Sequence, residues 1–312
     1  MNLGKISSEM LIVMIGVFIV LVLSSLISIY LTKRYPKKDF TEIRLRIKSW
    51  WSMCIIFTIA LVIHSTVSLI FLGLLCFLAL KEYFSLIPTN RSHRAVLFWA
   101  YLSIPIQFTF IYFGFYGMFI IFIPVYMFLF IPIQAILIGE TKGFLQSMGS
   151  VQWGMMLMVF SLSHLAYLIV LPGEKSSVPG ASLVLFLVIL TQANDVFQFL
   201  FGKAFGKHKI VPKVSPNKTW EGFVGGIIST TILSLCLAPL LTPFTLLGMI
   251  VAGLYISIMG FVGDVNISAL KRDLNIKDTS QTIPGHGGIL DRVDSLTYTA
   301  PLFFHFVRFF YF

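Results

Sequence analysis

Apolar runs of about 20 residues, separated by short charged segments, fill almost the whole chain. Each run is long enough to cross a hydrocarbon core of roughly 30 Å as a helix. Candidate spans are Met10 to Leu31, Trp50 to Ile63, Thr66 to Ile87, Ala95 to Ile111, Tyr116 to Ile138, Val151 to Leu171, Ala181 to Phe201, Gly222 to Leu241, Phe244 to Val265 and Val293 to Tyr311. The pattern predicts an all-α polytopic integral membrane protein with about ten transmembrane helices, or nine if Trp50 to Ile87 is continuous. At 1.5 Å per residue a single helix there would measure about 57 Å, nearly twice the core, so a turn at His64, Ser65 and Thr66 is expected. Three regions follow: N-terminal helices in 1–94, central helices in 95–180, and a C-terminal region in 181–312 that holds most of the polar chemistry and is expected to carry catalysis.

Composition agrees with the pattern. Of 312 residues, 57% are hydrophobic and 12% charged, with mean hydropathy +0.90, where a soluble domain has roughly 25% charged residues. The net charge of +10 raises the question of nucleic acid, but its placement points elsewhere. With ten spans, 20 of the 23 Lys and Arg fall in loops on one side, leaving Lys5, Lys175 and Arg308 on the other. The positive-inside bias then makes the rich side cytoplasmic and puts both termini outside. The first run is too long for a signal-peptide core and is read as a retained span. Cys54, Cys76 and Cys236 lie in apolar runs without metal-site or disulfide spacing, and Pro105, Pro124 and Pro132 are expected to kink packed helices.

The charged segment 271–295, "KRDLNIKDTSQTIPGHGGILDRVDS", faces the cytoplasm in this topology. Just before it, Asp264 lies near the inner end of a span, where an unpaired carboxylate is costly and calls for a partner or a cation. Asp264, Ser268 and Lys271 fall on one helix face at i, i+4 and i+7, with Arg272 beside them. The structural alternative is an Asp/Lys pair anchoring a helix end. In "IPGHGGILDRVDS" the glycines make a turn whose amides suit a phosphate, and Asp291 and Asp294 follow at i, i+3. Acids beside a phosphate-binding turn make sense around a divalent cation, and oxygen ligands without Cys favour Mg2+ over zinc. Helix capping by Asp291 and a surface pair of Asp294 with Arg292 is the plainer account. His286 reads either as a hydrogen-bonding turn residue or as a metal ligand or general base.

Asn194, Asp195 and Gln198 sit inside an apolar run, where interhelical hydrogen bonding competes with substrate binding as their purpose. The basic loop that follows, ending in Lys218, Trp220 and Glu221, reads either as a positive-inside loop or as an electropositive approach for a polyphosphate or an anionic headgroup. The basic loop Lys33 to Lys48 and "KEY" at Lys81 to Tyr83 read first as topology determinants, with membership of Glu82, at the inner end of the third span, in the active site as the alternative.

The run Ser268, Lys271, Arg272, Lys277, Asp278, Pro284, His286, Gly287, Gly288, Asp291, Arg292, Asp294 resembles the signature of the phosphatidate cytidylyltransferase (CDP-diacylglycerol synthase) family, with "SPNKTWEG" at 215–222 similar to a second family element. The resemblance covers roughly the C-terminal 130 residues. It implies transfer of CMP from CTP to phosphatidate, with Mg2+ as cofactor and a second cation left open. It further implies metal ligands Asp264, Asp291 and Asp294, phosphate clamps Lys271, Arg272 and Arg292, orienting groups Ser268 and His286, and substrate contacts from Asn194, Asp195, Lys218, Lys277, Gly287 and Gly288. CTP, phosphatidate and membrane lipids would be its partners, with no nucleic acid, in a homodimer of the bacterial inner membrane. Of two departures, Ser280 where Gly is usual is one the pattern allows, while "NDVFQF" at 194–199, where commoner bacterial members carry Asp-Thr-x-Ala-Tyr, suggests a divergent branch. A CTP-dependent kinase of a polyprenol-type lipid and a secondary transporter using Asp195 and Asp264 are the competing readings.

Overall fold

The structure, a computed structural model, describes residues 7–37, 39–87, 91–139, 143–172, 178–280, 282, 283, 285 and 287–312. Among the described residues ten helices longer than one turn form: α1 (Ser8–Arg34), α2 (Thr41–Ile63), α3 (Ser65–Leu86), α4 (Arg91–Tyr112), α5 (Tyr116–Leu137), α6 (Phe144–Val170), α7 (Gly180–Phe205), α8 (Trp220–Leu241), α9 (Leu246–Asp273) and, after the single turn α10 (Leu290–Val293), α11 (Leu296–Tyr311). Eight of them are long and apolar enough to cross a membrane, α4 and α11 being shorter in their apolar parts. Among the described residues there is no strand, only the isolated bridges Lys209 to Thr219 and Ile283 to Gly287. The protein is thus an all-α polytopic membrane protein.

The expected turn between the second and third spans is present. His64 adopts an extended backbone (φ −167°, ψ 147°), and its Nδ1 accepts from the Thr66 amide at 3.1 Å, capping α3. Several helices outrun their apolar stretches. α2 starts at Thr41, not Trp50, and its exposed first turns carry an Arg46–Glu42 pair at 2.6 Å. α9 continues to Asp273, past Val265. Hydropathy marks where the chain leaves the apolar layer, whereas the helix persists as long as helix-forming residues and i,i+4 pairs sustain it.

Pro105, Pro124 and Pro132 all lie inside helical segments. Pro124 lies in a π-helical stretch, Phe122–Met127, within α5. Pro132, lacking an N–H, leaves the Phe128 carbonyl without its usual i+4 donor. Gln152 Nε2 of α6 donates to that carbonyl at 3.1 Å and to the Met127 carbonyl at 3.3 Å. A buried amide on one helix thereby completes the ladder of another.

The C-terminal helices pack through small residues. α7 lies against α8, α8 against α9, and α9 against α11. A Cβ at Gly222 would stand 2.7 Å from the Gln198 carbonyl, and one at Gly263 would stand 2.7 Å from the Asp294 carbonyl. Only glycine permits those approaches. In the other half, α3 packs on α4 and α6, while α1 packs on α2 and reaches α8. Isoleucines and leucines such as Ile19, Leu26, Ile70 and Leu129 face outward, as lipid contact requires.

Gln152→Leu keeps the side chain's size but removes the donor to Phe128. The variant is expected to lose about 1 kcal/mol of stability, read as a lower thermal midpoint in detergent; an unchanged midpoint would show that the carbonyl finds another donor.

Candidate active site

The site is built from one end of α7, α8 and α9, the loop before α10, and the end of α3. Lys218 is brought in by the loop before α8. There Glu221 accepts from the Lys207 amide at 3.0 Å and pairs with His208 at 2.7 Å, while Thr219 caps α8 through the Gly222 amide at 3.2 Å. This fastening turns Lys218 inward, where its Nζ meets Asp264 Oδ2 at 2.5 Å and Gln198 Oε1 at 3.3 Å, above the Phe261 ring.

Three carboxylates face that ammonium. Burial works against its charge, but Asp264, Asp195 and Asp294 outweigh burial and hold its pKa above the usual lysine value. Asp195 accepts from the Ser295 hydroxyl at 3.0 and 3.3 Å, and Asp294 Oδ1 accepts from the Ser295 amide at 2.7 Å. Ser268 donates to Asp264 Oδ1 at 3.2 Å, so the i, i+4 face read from the sequence is real.

One helical turn further along that face, Lys271 pairs with Asp291 at 2.7 Å. The other oxygen of Asp291 accepts from the Thr279 amide at 3.0 Å, the Thr279 hydroxyl at 2.9 Å and the Gly288 amide at 3.0 Å. Asp291 therefore closes the loop 279–290 on itself. Gly285 and Gly287, with φ of +75° and +78°, supply its left-handed turns. Behind the loop stands Glu82 from α3. It is buried and accepts from the Thr279 hydroxyl and from the amides of Ile289 at 2.9 Å and Leu290 at 3.3 Å.

Set beside the expectations, the geometry regroups the acids. Asp264 and Asp294 are together as anticipated, but the third acid facing Lys218 is Asp195, while Asp291 is occupied by Lys271, Thr279 and Gly288. Among the described residues no three His, Cys, Asp or Glu side chains are arranged to hold a metal ion together. Asn194, expected at the substrate, is fully buried instead. It donates to the Ser257 carbonyl at 3.2 Å and accepts from Thr230 at 3.2 Å, tying α7 to α9 and α8. Its amide suits that task because it offers a donor and an acceptor at once. Arg272, expected to clamp phosphate, donates to the Val214 carbonyl at 3.1 Å and the Ile276 carbonyl at 3.4 Å, which fastens the loop before α8 to the end of α9. The Gly288 amide serves Asp291 rather than an open anion site. Arg292 keeps a buried Nε without a hydrogen-bond partner, and Lys277 is exposed. His286 and Pro284 lie outside the described residues. Thr279 and Ser295, which bridge the acids, were not singled out by sequence; a hydroxyl flanked by charged residues in each segment was the available signal. A cavity of about 740 Å3 lined by Tyr116, Tyr255, His305 and Arg308 opens at the opposite end of α11 and holds none of these groups.

A family model described as "Cytidylyltransferase family" matches residues 44–310, which takes in every group just described. The chain belongs to this cytidylyltransferase family. It is 44% identical over 292 residues to "Uncharacterized protein YnbB" of Escherichia coli, covering 94% of this chain and 96% of that one. It is 41% identical over 135 residues to a phosphatidate cytidylyltransferase of Haemophilus influenzae, covering 42% of this chain and 47% of that enzyme. A phosphatidate cytidylyltransferase of Staphylococcus aureus is 40% identical over 125 residues, or 39% of this chain and 48% of the enzyme. The chain thus spans about half the length of the two named enzymes. Membership in the cytidylyltransferase family makes the protein a membrane-embedded nucleotidyltransferase.

Asp291 gives a test in acid. Burial pushes its carboxyl up, but Lys271 and the Gly288 and Thr279 amides outweigh that and hold it below the usual 3.8. Its contribution to stability is complete above that value and is lost as pH falls through the lower folded value. Thermal unfolding followed from about pH 6 to pH 3 should therefore show a steeper acid loss for the wild type than for Asp291→Asn. Parallel curves would mean that the carboxylate is not held as described.

Proposed function

We propose that this cytidylyltransferase transfers CMP from CTP to the phosphate of phosphatidate, giving CDP-diacylglycerol and pyrophosphate. The observation that carries the reading is the group of Asp195, Asp264 and Asp294 around one lysine, beside the Lys271–Asp291 pair. It gathers cationic groups suited to phosphates and oxygen donors suited to a cation at the end of a membrane bundle, where a lipid headgroup and a water-soluble nucleotide would meet. The partial similarity to phosphatidate cytidylyltransferases supports the choice of substrates.

In the reaction an oxygen of the lipid phosphate forms a bond to the α-phosphorus of CTP, and the bond from that phosphorus to the oxygen bridging the β-phosphate breaks. Both substrates are anions, so catalysis rests on positioning and on neutralising charge. Lys218 and Lys271 bind phosphate oxygens when these replace Asp264 and Asp291 as their partners. Arg292, whose buried Nε has no hydrogen-bond partner, adds a third cation. Ser268 orients Asp264. Asp195, Asp264 and Asp294 face Lys218 and are not grouped as a three-acid metal site in this structure; as oxygen donors they would suit a hard divalent cation such as Mg2+ once phosphate takes Lys218 from Asp264, and that cation would supply charge neutralisation. The lysine-rich side of the bundle faces the cytoplasm in this reading, which is where CTP is found.

Purified protein incubated with phosphatidate, Mg2+ and CTP labelled at the α-phosphate is expected to give labelled lipid and one pyrophosphate per lipid. Label entering only from the γ-phosphate would make the protein a lipid kinase. Asp264→Asn and Lys218→Ala are each expected to lower turnover by roughly 100-fold or more while the protein remains folded, since each removes charge from the reacting centre. Turnover within a few-fold of wild type in either would remove the site assignment.

A further inference from the structure

Glu82 is separated from the charged loop by about 200 residues of chain, yet its carboxylate lies against the loop's inner side. It is 8% exposed, and both of its oxygens are used. Oε2 accepts from the Ile289 amide at 2.9 Å, and Oε1 accepts from the Leu290 amide at 3.3 Å and from the Thr279 hydroxyl. These two amides open the turn that leads into Asp291, and no side chain from Ile289 caps it. Capping is supplied from another helix, by a residue of the N-terminal half. The fit also explains Gly288: a Cβ there would overlap the Glu82 carboxylate and the Thr279 hydroxyl.

The Thr279 hydroxyl that meets Glu82 also meets Asp291 Oδ2 at 2.9 Å. Glu82 therefore holds both ends of the loop, at Thr279 and at Ile289–Leu290, and through Thr279 it bears on the orientation of Asp291. Asp291 in turn sets the position of Lys271. A carboxylate is suited to this because it accepts several N–H and O–H bonds at once and has no donor to oppose them.

We propose that Glu82 is a positioning residue of the nucleotidyl-transfer site. It clamps the loop 279–290 to α3, so that Asp291, Lys271 and Arg292 are held ready for the nucleotide phosphates. The N-terminal helices then contribute to the active site and do more than anchor it. The inference rests on the transfer reaction proposed above, and it assigns a role to a residue outside the C-terminal segment that carries the charged signature.

The test compares wild type with Glu82→Ala, Glu82→Gln and Leu72→Ala in the full-length protein. Leu72 is a buried residue of α3 one helical stretch of about 15 Å before Glu82, and its variant controls for loss of stability. Supporting residues of this kind typically change activity or metal affinity by roughly 10- to 100-fold. Glu82→Ala is expected to raise the KM for CTP or the half-saturating Mg2+ concentration by roughly ten-fold or more as well as lowering kcat. Glu82→Gln, which keeps one acceptor oxygen, should fall between it and wild type. Thr279→Val combined with Glu82→Ala should cost less than the sum of the two separate effects, since both break the Glu82–Thr279 link while Thr279→Val also removes a donor to Asp291. Independently of turnover, hydrogen exchange at the Ile289 and Leu290 amides should quicken in Glu82→Ala and stay unchanged in Leu72→Ala. Destabilisation alone would reduce the active fraction, lowering kcat with KM and Mg2+ dependence unmoved, and that pattern overturns the proposal. Wild-type constants in Glu82→Ala overturn it as well. If wild type makes no CDP-lipid, the transfer reaction fails and exchange alone decides: quicker exchange upholds the clamp, and unchanged exchange overturns it.

Discussion

Moving a carboxylate from water to the edge of a hydrocarbon layer costs several kcal/mol unless a cation or hydrogen-bond donors travel with it. The acids of the site obey this requirement one by one: Asp264 with Lys218, Asp291 with Lys271, Asp195 with the Ser295 hydroxyl, Asp294 with the Ser295 amide, and Glu82 of α3 with two loop amides. The pairs anchor the ends of α9 and the entry to α11, so the same contacts that make these acids tolerable also define where the helices stop. A site for anions is latent in this arrangement. In the proposed reaction, phosphates taking over the lysines would leave the acids in need of a new positive partner, which would link nucleotide binding to cation binding.

Close helix packing makes those pairs possible. Gly222 brings α8 onto α7 at Gln198, the residue that meets Lys218, and Gly263 brings α9 onto the Asp294–Ser295 backbone. Asn194 joins three helices at a depth where water is not available to satisfy its amide. A side chain in place of either glycine would separate the carboxylates from their partners before it touched any of them. Rigidity in the apolar part and charge pairing at the end are thus two aspects of one packing arrangement.

The sequence made some of this legible for definite reasons. Helical periodicity put Asp264, Ser268 and Lys271 on one face, and hydropathy with chain length required the break at His64; both are local properties of the chain. The fate of Asn194 and Arg272 was not legible, because each could serve a ligand or a neighbouring helix, and only the neighbour's position decides between them. Asp195 replacing Asp291 beside Asp264 and Asp294 is a matter of tertiary approach, invisible to spacing along one segment. Gly288 read as a phosphate-binding glycine, yet its lack of a side chain makes room for Glu82. The carbonyl left open by Pro132 likewise had a foreseeable need and an unforeseeable donor in Gln152.

The connection between Glu82 and Ile289 spans 207 positions of the chain. During synthesis α3 enters the membrane long before the loop that satisfies its carboxylate has been made. Until then Glu82 is an acid without its donors at the edge of the bilayer, held there by an incomplete bundle. A chain that stalls before the loop arrives would keep that charge without its donors.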